Sequence, residues 1–269
     1  MTDAALFREF TVFANRLADA AASESLPRFR GGAKVYNKAG IWFDPVTDAD
    51  REAERVQRRM VAAVYPKHGV IGEEFGSERI EAEYRWVFDP VDGTRAFVCG
   101  VATWATLVSL EHHGEPVIGV IDQPFTKERW VGGPDGAVYR NGETEIACRT
   151  SDVTALKQAR VSTTDPRKEA YFTDAEAKAF AAVAARAQVC RFSLDAYAYG
   201  LLALGELDLV IESNLKRHDF SALAPVVRGA GGVITGWRGE PLGEDASGRV
   251  IAAASAELHA AALEILTQA

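Results

Sequence analysis

Near residue 150 the hydrophobic pattern of this chain changes character, and that change limits the folds open to it. Before it, short apolar runs follow one another through turn residues. Thr103 to Leu110 and Val117 to Ile121 read as strands joined by His113-Gly114-Glu115, and Lys34 to Phe43 reads as two short strands around Asn37-Lys38-Ala39-Gly40. After it, strand-like runs near 160–163, 188–191, 207–212, 232–235 and 249–253 alternate with helical periodicity near 173–187, 195–205, 219–230 and 255–267. Hairpin succession points to an α+β first half, and strand–helix alternation to an α/β second half. No low-complexity linker and no internal repeat separates them. The expectation is two closely packed halves, 1–150 and 151–269, with a cleft between them.

Two helices punctuate the first half. Leu6, Phe7, Phe10, Phe13 and Leu17 share one face of a helix from 4 to about 22. Thr47-Asp48-Ala49-Asp50 opens a second, ended by Pro66, with Thr-x-x-Asp as a capping box in which an acid replaces the usual Glu or Gln. Short strands are expected at about 69–72 and 85–89, with Glu73-Glu74 between them.

A net charge of −8 without a Lys/Arg stripe argues against a nucleic-acid partner. It leaves phosphate chemistry open, because bound divalent cations invert a local field. No apolar run is long enough to span a membrane. Three scattered cysteines without a CxxC pair, and a start (MTDAALFREF) without signal-peptide features, lead to the expectation of a cytoplasmic protein.

The densest chemistry lies in VFDPVDGTRAFVCG, residues 87–100. Tyr84 to Phe88 is a buried-strand candidate, so Asp89 stands at its carboxyl end, where α/β proteins place ligands. Pro90 keeps Asp89 out of the helical region. Gly93 allows close approach to the backbone. Thr94 begins a helix whose free N–H groups favour an anion. Carboxylates beside an anion site make sense when hard cations such as Mg²⁺ lie between them. Taken alone, each acid also has a simpler reading: a solvated Asp-Pro turn at 89–93, a surface pair at Glu73-Glu74, helix-starting carboxylates at Asp50 and Asp219.

Four stretches in this order resemble the inositol monophosphatase superfamily of Mg²⁺-dependent phosphatases over nearly the whole chain. They are Pro45-Val-Thr-Asp-Ala-Asp50, Ile71-Gly-Glu-Glu74, Phe88-Asp-Pro-Val-Asp-Gly-Thr94, and Asp219 with the Gly229-Ala-Gly-Gly232 that closes its helix. A finer resemblance is to the histidinol-phosphate phosphatase branch. It rests on Gly93-Thr-Arg-Ala-Phe97, Trp104-Ala-Thr-Leu107, Ile121-Asp-Gln-Pro124 with Glu128-Arg-Trp130, Asp195-Ala-Tyr-Ala-Tyr-Gly200, and Leu215-Lys-Arg-His-Asp-Phe220 with Ala224-Pro-Val-Val227. His218 departs from the Trp or Tyr that many relatives carry before the last metal aspartate.

The resemblance implies a layered αβαβα sandwich and two or three Mg²⁺ ions. Glu73, Asp89 and the Val91 carbonyl would hold one ion, and Asp89, Asp92 and Asp219 a second. Asp50, Glu73 and Thr94 would act in catalysis, with Thr94 hydrogen-bonded to Asp50 to orient the attacking water. Gly93, Thr94, Asp195, Glu212 and Asp219 would contact a small phosphorylated substrate. Lys34 or Lys38 would reach the site, and the protein would form a homodimer.

The Asp89-x-x-Asp92 spacing is one residue longer than the D-x-D loop of aspartyl-phosphate enzymes, and no Walker loop is present. The histidines His68, His112, His113, His218 and His259 lack zinc-ligand spacing; His112-His113 reads as an exposed strand end. Histidinol phosphate carries an ammonium group, so its pocket needs carboxylates away from the metals. Asp195 and Glu212 are the candidates, although Asp195 also reads as a helix cap. The expected reaction is hydrolysis of L-histidinol phosphate. The alternatives are inositol-1-phosphate or broad sugar-phosphate hydrolysis, and a non-catalytic regulator that binds phosphorylated ligands.

Overall fold

The computed structural model describes residues 4–37, 45–167 and 171–268. Helix α1 (Ala4–Ser25) leads to a two-stranded antiparallel ribbon, β1 (Val35–Asn37) with β2 (Pro45–Thr47), and then to helix α2 (Asp48–Val64). There follow β3 (Gly69–Gly72), β4 (Gly76–Glu78), β5 (Tyr84–Asp92), the short helix α3 (Thr94–Val98), β6 (Ala105–His112), β7 (Glu115–Gln123), β8 (Glu128–Gly133), β9 (Gly136–Asn141) and β10 (Thr144–Ala147). The order β10-β9-β8-β7-β6-β5-β3-β4 makes one sheet, antiparallel except where β3 runs parallel to β5.

The rest of the chain gives β11 (Arg160–Thr163), α4 (Asp174–Ala184), β12 (Val189–Phe192), α5 (Tyr197–Ala203), β13 (Leu209–Glu212), α6 (Arg217–Phe220), α7 (Leu223–Gly229), β14 (Val233–Gly236), β15 (Val250–Ala253) and α8 (Ala256–Leu266). Its sheet has the order β12-β11-β13-β15-β14, with β11 parallel to both neighbours. The parallel pairs are those that a helix can cross over, β11–α4–β12 among them.

Three apolar layers hold the elements together. Phe10, Phe13 and Leu17 of α1 pack on Trp86, Phe88 and Leu110 of the large sheet. On its other face Leu107, Ile121 and Trp130 meet Tyr199 and Leu202 of α5 and Val226 and Val227 of α7, which in turn cover Val210 and Ala252 of the small sheet. Phe180 of α4 and Leu258 of α8 close the far side over Leu209 and Ile211. Helices, sheet, helices, sheet, helices: the expected αβαβα sandwich is the observed one. Apolar periodicity drives it, since each helix has one apolar stripe and each central strand two buried faces.

Local details differ from expectation. The helix expected over 219–230 is two, α6 and α7, because the turn at Ser221-Ala222 intervenes; Pro225 sits in the first turn of α7, where its missing N–H costs nothing. The partner of β1 is Pro45–Thr47; the strand read toward Phe43 lies outside the described residues, as does Lys38. Strands β4, β8, β9 and β10 extend the large sheet beyond the pairs that sequence reasoning identified. Trp104 and Trp130 are wholly buried in their own core, Tyr199 likewise, and Tyr197 is half-buried beside Trp130. Among the described residues no helix is long and apolar enough to cross a membrane.

Candidate active site

Strand β5 ends in a β-bulge between Asp89 and Asp92, and the site depends on it. In a regular strand residues three apart face opposite sides of the sheet; an extra residue in the ladder cancels that alternation. Pro90 sits in the bulge, where a missing ladder N–H is tolerated, and its carbonyl accepts from the Thr106 hydroxyl at 2.7 Å. The result is that an oxygen from each of Asp89, Asp92 and Asp219 lies within 4.8 Å of the others. Asp219 arrives from α6, where its Oδ2 accepts from the Lys216 N–H at 2.5 Å. Asp92 Oδ2 accepts from the Ala196 N–H at 2.7 Å, tying the start of α5 to the end of β5.

A second acidic group adjoins the first. Asp50, Glu73 and Glu74 also bring ligand oxygens within 4.8 Å of one another. Glu73 links the two groups: its charge acts on Asp50, Asp89, Asp92 and Asp219 alike. All five acids of the sequence motifs therefore meet in one electrostatic neighbourhood.

Asp50 is the third residue of α2 and is fully buried. The expected capping box is present, since Asp50 Oδ2 accepts from the N–H of Thr47 at 2.8 Å and from its hydroxyl at 2.5 Å, while Thr47 Oγ1 accepts from the Ala49 N–H. Asp50 Oδ1 has no hydrogen-bond partner. Burial pushes the carboxyl up to about 7, with Thr47 pulling it down and Glu73 and Glu74 adding to the rise. The expected hydrogen bond from Thr94 to Asp50 is not formed. The Thr94 hydroxyl donates instead to the Val91 carbonyl at 3.1 Å, three residues back across the tight turn at Gly93. Lys34 is exposed, with its backbone N–H bound to Asp48 Oδ1.

Electrostatics sharpens the picture. Asp89 is 2 % exposed, and burial, then Glu73, Asp92 and Asp219, raise its pKa well above the carboxylate range. Asp92 is raised well above that range by burial, then by Asp195 and Asp219. Asp219 is raised by burial, partly offset by His218, whose Nε2 lies 3.5 Å from Asp219 Oδ1. No guanidinium or ammonium of the described residues forms an ion pair with Asp89 or Asp92. A carboxylate-only donor set of this kind, with the Val91 carbonyl beside it and a bare buried oxygen on Asp50, fits hard divalent cations.

Beside this cluster stands a second acidic pair, whose Asp195 also acts on Asp92. Gly93 has φ +76°, and a Cβ added there would meet the Asp195 carboxylate at 3.0 Å, so only glycine allows this approach. Asp195 itself has φ +49° and makes no cap bond to α5, which sets aside the reading of it as a helix cap. Burial raises its pKa to about 6, with Arg95 pulling it down. Glu212, 3 % exposed, accepts from the Thr164 N–H at 2.7 Å, the Thr164 hydroxyl at 2.9 Å and the Thr163 hydroxyl at 3.1 Å; burial still raises it to about 8, and Asp195 adds to the rise. The Arg95 guanidinium lies over the Tyr171 ring, 5.0 Å from its centroid.

Sequence reasoning missed the support under Glu73. Glu54 of α2 is fully buried and accepts from the N–H groups of Glu74 at 2.7 Å and Phe75 at 3.2 Å, and from Arg58 Nε at 2.7 Å. Gly72 leaves the space, because a Cβ there would overlap Glu54 Oε1. The signal was available: Asp50, Glu54, Gln57 and Val61 recur at helical spacing on one face, which is their buried face.

Comparison with known proteins gives a consistent picture. The sequence profile of the Inositol monophosphatase family matches residues 7–269. The chain is 39% identical over 266 residues to the Bifunctional phosphatase IMPL2, chloroplastic, of Arabidopsis thaliana, covering 96% of this chain and 75% of that protein. It is 33% identical over 239 residues to the Histidinol-phosphatase of Streptomyces coelicolor, covering 85% and 86%. Among solved structures, an inositol monophosphatase from Zymomonas mobilis superimposes with a TM-score of 0.86 at 38% identity, over 97% of this chain and 98% of that one.

Proposed function

The chain belongs to the inositol monophosphatase family, a family of metal-dependent phosphomonoesterases, and from that premise we propose that it hydrolyses L-histidinol phosphate to L-histidinol and phosphate with Mg²⁺. The observation that carries the substrate choice is the acidic pair Asp195–Glu212, additional to the five-acid cluster and adjoining it through Asp195, which lies beside Gly93. An ammonium placed there is favoured over a hydroxyl, because it pairs with two carboxylates whose ionised forms burial disfavours, Asp195 raised to about 6 and Glu212 to about 8. Two relatives whose names include this activity or a dual one support the same choice.

In this reading Glu73, Asp89 and the Val91 carbonyl hold one Mg²⁺, and Asp89, Asp92 and Asp219 a second, with Glu73 available to a weaker third. Mg²⁺, when bound, supplies Lewis acidity toward the phosphoryl oxygens and makes water a stronger acid. The residues do the rest. Asp50 offers its unpartnered Oδ1 to the proton of the attacking water, and Thr47 fixes the carboxylate by its other oxygen. Thr94 orients that water, its hydroxyl hydrogen being engaged by the Val91 carbonyl so that its lone pairs face outward as acceptors. Backbone N–H groups of Gly93 and Thr94 receive phosphate oxygens. Residues 1–150 supply most of the metal ligands, and 151–269 supply the specificity pair and Asp219.

A dual-specificity reading, in which inositol 1-phosphate is also turned over, is favoured by the likeness to the Zymomonas inositol monophosphatase. The full acid set argues against a non-catalytic regulator. We place the reaction in the cytoplasm, in keeping with three cysteines that are all free. A homodimer belongs to the same proposal: Val35 and Val98 are exposed around one cleft, with Phe125 beside it over Arg30.

Turnover of L-histidinol phosphate and inositol 1-phosphate, measured side by side with saturating Mg²⁺, tests the choice. A higher kcat/KM for histidinol phosphate supports it. Faster release from inositol phosphate would replace it with the second reading, and no release from either would replace it with the regulator.

A further inference from the structure

We propose that Glu83, His112 and His113 form a separate site for a transition-metal dication, of which Zn²⁺ is the type, at the end of the β5–β6 ladder remote from the acid cluster. Each of the three offers a ligand atom, and these atoms all lie within 4.8 Å of one another. His112 Nε2 is 3.1 Å from Glu83 Oε1.

Neighbouring residues of a strand point to opposite faces, so two adjacent histidines do not ordinarily converge. Here they do, because His113 leaves the strand in the left-handed region at φ +51°. Its N–H donates to the Glu83 carbonyl at 2.9 Å, which fastens the turn to the residue that supplies the carboxylate. The two imidazole centroids are 4.3 Å apart at 43°. Tyr84 stacks on His112 at 4.7 Å and 16°, fixing that ring's plane. A left-handed backbone at a non-glycine residue has a cost, and here it aims a second imidazole at the first.

Two imidazoles and one carboxylate form a borderline donor set that suits Zn²⁺, Co²⁺ or Cu²⁺ with water completing the shell, and not Mg²⁺, which prefers oxygen alone. The guanidiniums of Arg85 and Arg217, beside Gly114, are engaged by Glu111 and Glu244, which reduces their repulsion of a cation. Along β5, at about 3.3 Å per residue, Tyr84 stands roughly 16 Å from Asp89, so the two sites do not share an ion.

The test uses the full chain carrying Asp92→Asn, with excess Mg²⁺ to occupy what remains of the catalytic cluster, and equilibrium dialysis against Zn²⁺. One equivalent is expected, with Co²⁺ in its place giving visible absorption characteristic of nitrogen ligands. In that background His112→Phe keeps the ring against Tyr84, and His113→Asn keeps a residue tolerant of positive φ. Each is expected to weaken Zn²⁺ by about tenfold or more. With Asp92 restored, neither substitution is expected to change Mg²⁺-supported phosphatase activity, which also shows that both fold. Absence of the equivalent, or Zn²⁺ affinity unchanged by both substitutions, overturns the proposal.

Discussion

Glu111 on β6 and Asp89 on the neighbouring strand β5 are equally buried, at 1 % and 2 % exposure, yet only Glu111 has guanidiniums against it. Arg217 donates to both of its oxygens at 2.7 and 2.5 Å, the Ser221 hydroxyl adds a third bond, and Arg85 lies 3.3 Å away. Asp89 is surrounded by Glu73, Asp92 and Asp219. The two regions are joined by helix α6, four residues long, which carries Arg217 at one position and Asp219 two positions on. The difference teaches what each carboxylate is for. Charge matched from within the chain makes a rivet that fixes α6. Charge left unmatched makes a site able to hold cations from outside.

That contrast predicts opposite responses to neutralising one carboxylate. Glu111→Gln leaves two guanidiniums with too little negative charge. It should cost about 3–5 kcal/mol, seen as a melting temperature lower by about 6 °C or more, and should raise the Mg²⁺ concentration needed for half-maximal activity by loosening Asp219. Asp92→Asn should lower kcat by about 10²–10³-fold, the scale of losing one charge-stabilising group. In chelator, however, it should leave the melting temperature equal or higher, because a repelling charge has gone. A fall in stability for Asp92→Asn as large as that for Glu111→Gln would erase the distinction.

The pH dependence of stability sharpens it further. Asp50 is raised to about 7 and Glu212 to about 8, above the ordinary carboxylate range near 4. Over that window the folded, metal-free chain retains protons that the unfolded chain has released. Unfolding therefore releases protons, and stability is lost as pH rises through the folded values. Melting in chelator should fall between about pH 5 and about pH 8, and Mg²⁺ should flatten the Asp50 contribution, because its positive charge offsets the Glu73 and Glu74 carboxylates that add to the rise. The same slope with and without Mg²⁺ would mean that the cluster does not bind it.

Apolar periodicity made the two halves and most of their elements legible in the sequence, and the Asp-Pro-x-Asp-Gly-Thr turn singled out Asp89 and Asp92; the layer order and the meeting of all five acids came from the resemblance carried by four stretches in order. What was not legible depended on contacts distant in sequence. The β-bulge that turns Asp89 and Asp92 to one side is a property of the β5–β6 register. Thr94 turns to Val91 and not to Asp50 because Gly93 closes the turn within a few residues, whereas Asp50 is on another element. Glu111 falls just past the strand read from Thr103 to Leu110, and nothing near it predicts Arg217, more than a hundred positions away in the chain. The break between α6 and α7 was hidden by an apolar stripe that continues across it.

The central claim is that Glu73, Asp89, Asp92 and Asp219 share cations that complete their charge. Crystals soaked with Mn²⁺ in place of Mg²⁺, measured at the manganese absorption edge, test it directly. The account predicts at least two anomalous peaks among these four side chains, one of them against the Val91 carbonyl. Peaks elsewhere with none between these four carboxylates, in crystals that retain the fold, would contradict it.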